Sequence, residues 1–228
     1  MDARIDKVKS DIFIVKYDPS GNVLWAKNEG STGNDYGYSI ATDTFNNVYV
    51  TGSYDSPSLT LGTYTLTNTG GTDLFIVKYD ATGNLLWAKS EGGTSWDYGH
   101  NNTTDAFGNV YVTGYFASSS ITFGAFTLTN AGSYDMYIVK YDSLGNVLWA
   151  KIAGSIGDDE VWSTTTDAAG NVYLTGFYSS PSISFGSTTL NNAGNEDAFV
   201  VKYDAAGNVM WAKGIGGTGY DESWGSTT

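Results

Sequence analysis

One block of sequence returns at a fixed step. Asp-Ile-Phe-Ile-Val-Lys-Tyr-Asp begins at Asp11, and close copies begin at Asp73, Asp135 and Asp197, each 62 residues after the last. The Trp-Ala-Lys that follows keeps the same step, at Trp25, Trp87, Trp149 and Trp211. Repetition without insertions makes each period one supersecondary unit, which buries its apolar surface against its own copies.

Within one period the residue pattern reads as strands. Gly37–Asp43 forms a short strand and the turn Asp43-Thr-Phe-Asn-Asn47 follows it; the next copies are Asp105-Ala-Phe-Gly-Asn109 and Asp167-Ala-Ala-Gly-Asn171. Asp caps such a turn with its own side chain, and Gly or Asn takes the positive-φ position that closes a hairpin. Val-Tyr-Val-Thr-Gly52 is β-branched and aromatic, hence a strand. Leu59–Leu66 alternates about Gly62 and predicts a small added hairpin. Asp73–Tyr79 is a nearly continuous apolar run, which implies cover on both faces. The turn Asp80-Ala-Thr-Gly-Asn84 leads into Leu85–Lys89. Four antiparallel strands per period, stacked on copies of themselves, make an all-β propeller. No segment has the capped 3.6-residue period of a helical solenoid. Phe13, Val15, Trp25, Tyr49 and their copies are expected between blades. The Lys16-type residues alternate with that core and are expected at a solvated rim that deters strand addition.

These residues resemble the bacterial SBBP repeat family, named for a β-propeller. The resemblance rests on Asp-Ala-Phe-Val-Val-Lys-Tyr-Asp204, Gly-Asn-Val-Met-Trp211, Asp158-Asp159 before an inner strand, and Asp-Ala-Ala-Gly-Asn-Val-Tyr-Leu-Thr-Gly176. It covers the chain after Ser10. It implies a module of a large secreted or cell-surface bacterial protein, with no assigned activity.

The blades are expected as residues 36–97, 98–159 and 160–220, after a lead-in at 1–10. A fourth blade is split: 11–35 carries its last two strands and 221–228 its first. Four full periods would need 20 residues more than the chain has, and the shortfall includes a Val-Tyr-Val-Thr-Gly strand. Such a blade has open edges. Asp2–Lys9 could fill the gap, the first strand could meet the third, or another chain could complete the blade. The ring is then four-bladed, or part of a larger propeller. A homodimer joined head to tail is the assembly expected here.

The acidic excess, 24 against 11 basic residues and a net charge of −13, argues against nucleic acid and anionic membrane surfaces. No apolar run is long enough to span a membrane, and Met1–Ser10 lacks the apolar core of a signal peptide. Where copies diverge, function has room. Asp35, Asp97, Asp159 and Asp221 stand once per period at the loop entering the innermost strand. Three residues on come Tyr38, His100, Trp162 and Trp224. Carboxylates beside aromatic faces suit a glycan, a protein segment or a cation, so these eight residues are the candidate ligand site. The alternative is that each Asp closes its loop and each ring packs between blades. No metal or cofactor is expected, because one carboxylate per blade does not converge on Ca²⁺. Catalysis is not expected either. His100 has no copies and there is no cysteine. The likeness of Tyr17–Trp25 to quinoprotein docking motifs and sialidase Asp-boxes is faint, and Arg4 is the sole arginine. The function expected is non-catalytic binding or adhesion through one mouth of the propeller. A structural spacer is the alternative, with a hydrolase or quinoprotein enzyme further behind.

Overall fold

In a computed structural model, residues 9–227 are described. They carry twenty strands and no helix. The split blade supplies β1 (Ile12–Tyr17) and β2 (Val23–Glu29). The first whole blade has β3 (Asp35–Thr42), β4 (Val48–Tyr54), β5 (Ser58–Leu61), β6 (Tyr64–Thr67), β7 (Asp73–Tyr79) and β8 (Leu85–Glu91). The second has β9 (Asp97–Thr104), β10 (Val110–Phe116), β11 (Ser120–Phe123), β12 (Phe126–Thr129), β13 (Asp135–Tyr141) and β14 (Val147–Ala153). The third has β15 (Asp159–Thr166), β16 (Val172–Tyr178), β17 (Ser182–Phe185), β18 (Thr188–Asn191), β19 (Asp197–Tyr203) and β20 (Val209–Ile215).

Each whole blade is a four-stranded antiparallel meander, ordered β3-β4-β7-β8 and so on. A two-stranded hairpin, β5-β6 in the first blade, hangs between its second and third strands. The predicted turns form as the side chains require. Asp105 Oδ1 accepts from the Phe107 and Asn109 amides (both 3.0 Å), and Gly108 takes φ 79°.

The inner strands lie side by side, one per blade. Thr104 Oγ1 donates to the Thr42 carbonyl and Thr166 Oγ1 to that of Thr104 (both 2.8 Å), while the Asn102 amide donates to Ser39 Oγ (3.1 Å). The core lies between blades, around Tyr49, Phe75, Tyr111, Tyr137 and Phe199. Trp25 Nε1 donates to the carbonyl of Ala81 in the next blade, and Trp87 and Trp149 repeat this to Ser143 and Ala205 (all 3.2 Å).

Three expectations need correction. First, the Phe13 series is core only where a second strand covers it. Phe75, Tyr137 and Phe199 are buried, whereas Phe13 is 74% exposed, because its blade has no copy of β4. Second, the lysines are not at a solvated rim. Lys78 and Lys140 are buried between blades, facing Asp43 (3.9 Å) and Asp105 (3.3 Å). A middle strand of a stacked sheet has no solvent side to offer them. Third, residues 221–227 form no strand, since no second strand is there to pair with them. Their place beside β15 is still held, by the Asp221 amide on the Glu196 carbonyl (2.9 Å) and the Ser226 amide on Ser163 Oγ (3.0 Å). Of the two arrangements expected, a closed four-bladed ring or part of a larger propeller, the sheets form the open one: among the described residues β1 pairs with β2 alone. Of the expected gap-filling segment Asp2–Lys9, residues 2–8 lie outside the described residues, and Lys9 is in no strand.

Candidate functional site

Asp35, Asp97 and Asp159 begin the inner strands, Asp221 begins the strandless segment 221–227, and the structure engages their oxygens in the fold. Asp35, Asp97 and Asp159 are fully buried. Asp97 Oδ2 accepts from the Gly93 amide and Ser118 Oγ (both 2.7 Å). Asp159 repeats this with Ser155 and Ser180, and Asp35 with Ser31 and Ser56. Each carboxylate ties the loop before its strand to a serine 21 residues downstream. Burial, opposed by these hydrogen bonds, leaves their carboxyls above the ordinary range. Asp221, at the looser end, accepts from the Gly217 amide (2.8 Å). The carboxylates expected to receive a ligand are thus committed to loop closure.

The aromatic half of the constellation does converge. Tyr38, His100, Trp162 and Trp224 form one continuous row. Successive ring centroids are 5.7, 4.7 and 4.3 Å apart. The blades stack at the inner strands, so residues one period apart become neighbours. Tyr36 stacks on Tyr38 (5.9 Å), and Tyr115 joins at His100 (6.1 Å). Tyr38 is 44% and Trp224 64% exposed. Burial pushes the His100 pKa down, so its ring is uncharged at neutral pH and packs as a flat aromatic. Trp162 Nε1 has no hydrogen-bond partner among the described residues.

The sequence shows the acids Asp158, Glu160 and Glu222 only as adjacent pairs, not that they gather with Glu196 beside this row. Glu160 lies within electrostatic reach of Asp158, Glu196 and Glu222, and of Tyr98, Tyr115 and Tyr134. Burial, then those three carboxylates, raises Glu160 to about 7. Adjacent acids in the sequence gave no sign of this, because Glu196 and Glu222 arrive from other loops. Acids therefore lie beside the rings, and the raised Glu160 is partly protonated near neutral pH, able to donate as well as accept.

Burial acts on further carboxyls. Asp73 and Asp135 rise to about 6 and Glu91 to about 7. Each of these groups binds its proton more tightly folded than unfolded. Stability is therefore fully present at pH near 4 and falls as pH climbs through 6 to 7. Asp18 and Asp204 run the other way: the side chains of Asn22 and Asn208 hold them below the ordinary range, so they lose stability only below about pH 4. The melting temperature is expected to rise by about 4 °C from pH 8 to pH 5 and to fall again below about pH 4. A scanning calorimetry series reads this directly, and a flat or rising profile from pH 5 to 8 contradicts it.

Comparison with known proteins agrees with the architecture. The family model of the SBBP β-propeller repeat matches residues 29–53. An uncharacterized WD repeat-containing protein, L264 of Acanthamoeba polyphaga mimivirus, is 29% identical over 91% of the chain. The regulatory protein FlaEY of Caulobacter vibrioides is 28% identical over 86% of it. The chain spans 18% and 22% of the lengths of these two curated relatives. A solved structure of a Bacteroides caccae protein of unknown function aligns over 90% of this chain and 94% of its own, at 9% identity and a TM-score of 0.30, too low to bear on the fold.

Proposed function

We propose that this β-propeller module is a non-catalytic binding or adhesion element of a bacterial secreted or surface protein, and that it takes a glycan at the aromatic mouth. The observation that carries the reading is the unbroken row Tyr38–His100–Trp162–Trp224. Sugar C–H faces stack on such rings, and hydroxyls find acceptors in the neighbouring acids. A protein ligand is the second form of the same reading. The aspartates support it indirectly, by fixing the starts of the strands β3, β9 and β15 that carry Tyr38, His100 and Trp162.

The test is a glycan array followed by titration of the best ligand. The Trp162→Ala, Trp224→Ala double variant is expected to weaken binding at least about tenfold, or about 1.4 kcal/mol. Unchanged affinity in that variant places the site elsewhere. No ligand for the native chain leaves the structural-spacer reading in its place.

A further inference from the structure

The two end faces of the stack carry the two halves of an interface that the molecule builds three times internally. Each internal interface sets a tryptophan of one blade on a glycine turn of the next. A Cβ on Gly83 would lie 3.0 Å from the Trp25 ring, one on Gly145 3.1 Å from Trp87, and one on Gly207 2.9 Å from Trp149. The same turns take a lysine. Lys16 donates to the Ala81 carbonyl (3.2 Å), Lys78 to Ser143 (2.9 Å) and Lys140 to Ala205 (3.1 Å).

Among the described residues, one member of each pair is left over. Trp211, the fourth tryptophan, is 37% exposed. At the opposite end Gly21, the fourth glycine, would have nothing within 4 Å of its Cβ. Pro19 stands one period before Ala81, where an acceptor for Trp211 and Lys202 is needed. Tyr17 stands 57% exposed on that face, while its copies Tyr79, Tyr141 and Tyr203 are buried. Beside it an open groove of 470 Å³ runs between β1 and β3, lined by Phe13, Tyr36, Tyr38 and Ile40. By the repeat step, that groove spans the place of the absent β4 copy, beside β1, and the place of an inner strand equivalent to residues 221–227, against β3.

We propose that a second copy of this chain docks head to tail on this face. Its Trp211 covers Gly21, with Nε1 on the Pro19 carbonyl, and its segment 221–227 enters the groove between β1 and β3. The contact is heterologous, so it closes as a ring if the rotation allows and otherwise extends as a filament. The aromatic row then runs on from Trp224 of one copy to Tyr38 of the next. The occupant is another copy because the face repeats, at its turn Asp and Gly and at Lys16 and Tyr17, a surface that this chain already covers with its own blades.

Sedimentation velocity at micromolar concentration tests this with two variants. Trp211→Ala removes an exposed ring. Gly21→Asn adds a side chain that tolerates φ 83° and meets nothing in the isolated chain, but would collide with an incoming indole. Native chain is expected to sediment as a dimer or longer species. Each variant alone is expected to be monomeric and to retain the native melting transition. An equimolar mixture is expected to recover a dimer, because each variant keeps one intact face. A monomeric native chain overturns the proposal. So does association that persists in Gly21→Asn alone, which would indicate contact between like faces. Neither substitution changes a ring of the aromatic row, but docking seats Trp224 of one copy against Tyr38 of the next, so glycan affinity is titrated on the monomeric Gly21→Asn variant to keep the two readings apart.

Discussion

Gly114→Ala is expected to cost on the order of 4 kcal/mol or more, a large share of a domain stability of about 5–15 kcal/mol. Gly114 sits in β10 at the bulge where its partner on β9 shifts register. A Cβ there would enter the Tyr98 carbonyl oxygen and come within 2.7 Å of Tyr137 Oη. Neither can retreat. The carbonyl belongs to the adjacent strand and accepts the Tyr137 hydroxyl (3.0 Å), and the Tyr137 ring is itself fully buried. Gly52 and Gly176 meet the same carbonyl, from Tyr36 and Glu160, and the rings of Phe75 and Phe199. The glycine ending each Val-Tyr-x-Thr-Gly strand is therefore a packing requirement of every blade. Gly225→Ala is the control, since nothing lies within 4 Å of its Cβ, and it should change stability by less than about 0.5 kcal/mol. Urea midpoints measure both. A loss below about 1 kcal/mol for Gly114→Ala would mean that strands β9 and β10 give way far more easily than packed sheets do.

What could be read from the chain follows from what is local. The turn aspartates, the positive-φ glycines, the Leu59–Leu66 hairpin and the Asp73–Tyr79 strand depend on residues a few positions apart, and all form where the pattern places them. The aromatic row depends only on the fixed period, which brings residues 62 apart into contact. Loop closure by Asp97 and Asp159 was legible as the alternative to a ligand role, but their partners Ser118 and Ser180 were not, because they lie in a different loop with no motif to mark them. The end effects were equally hidden. Phe13 and Phe75 are the same residue in the same motif, one 74% exposed and the other buried, and only the neighbouring strand decides which. The lysines were misread for a related reason: strand alternation separates two faces, but it cannot say that both are covered.

Lys140→Met is the substitution in which that misreading becomes measurable, with an expected loss of about 3 kcal/mol. The Lys140 ammonium is buried, 3.3 Å from Asp105 Oδ2, on the Ala205 carbonyl (3.1 Å) and 4.7 Å above the Tyr111 ring. Met keeps the stem's packing and removes the charge. Asp105 keeps its bonds from Asn109 and the turn amides, but its carboxylate, 1% exposed at the side chain, then lies buried without a counter-charge. That uncompensated charge, rather than lost contact, sets the cost. Asp105→Asn in the same chain should therefore recover part of the loss, giving a coupling of at least about 1 kcal/mol in a double-mutant cycle. Lys16→Met provides the contrast. Among the described residues its ammonium donates to the Asn46 and Ala81 carbonyls with no carboxylate opposite, so the expected loss is under about 1 kcal/mol. Equal losses at the two positions, or additive effects of Lys140→Met and Asp105→Asn, would show the lysines to be solvated after all, as the alternation alone implied. A loss concentrated at Lys140 makes the lysine–aspartate pair the electrostatic bond between successive blades, as the Trp–Gly contact is the apolar one.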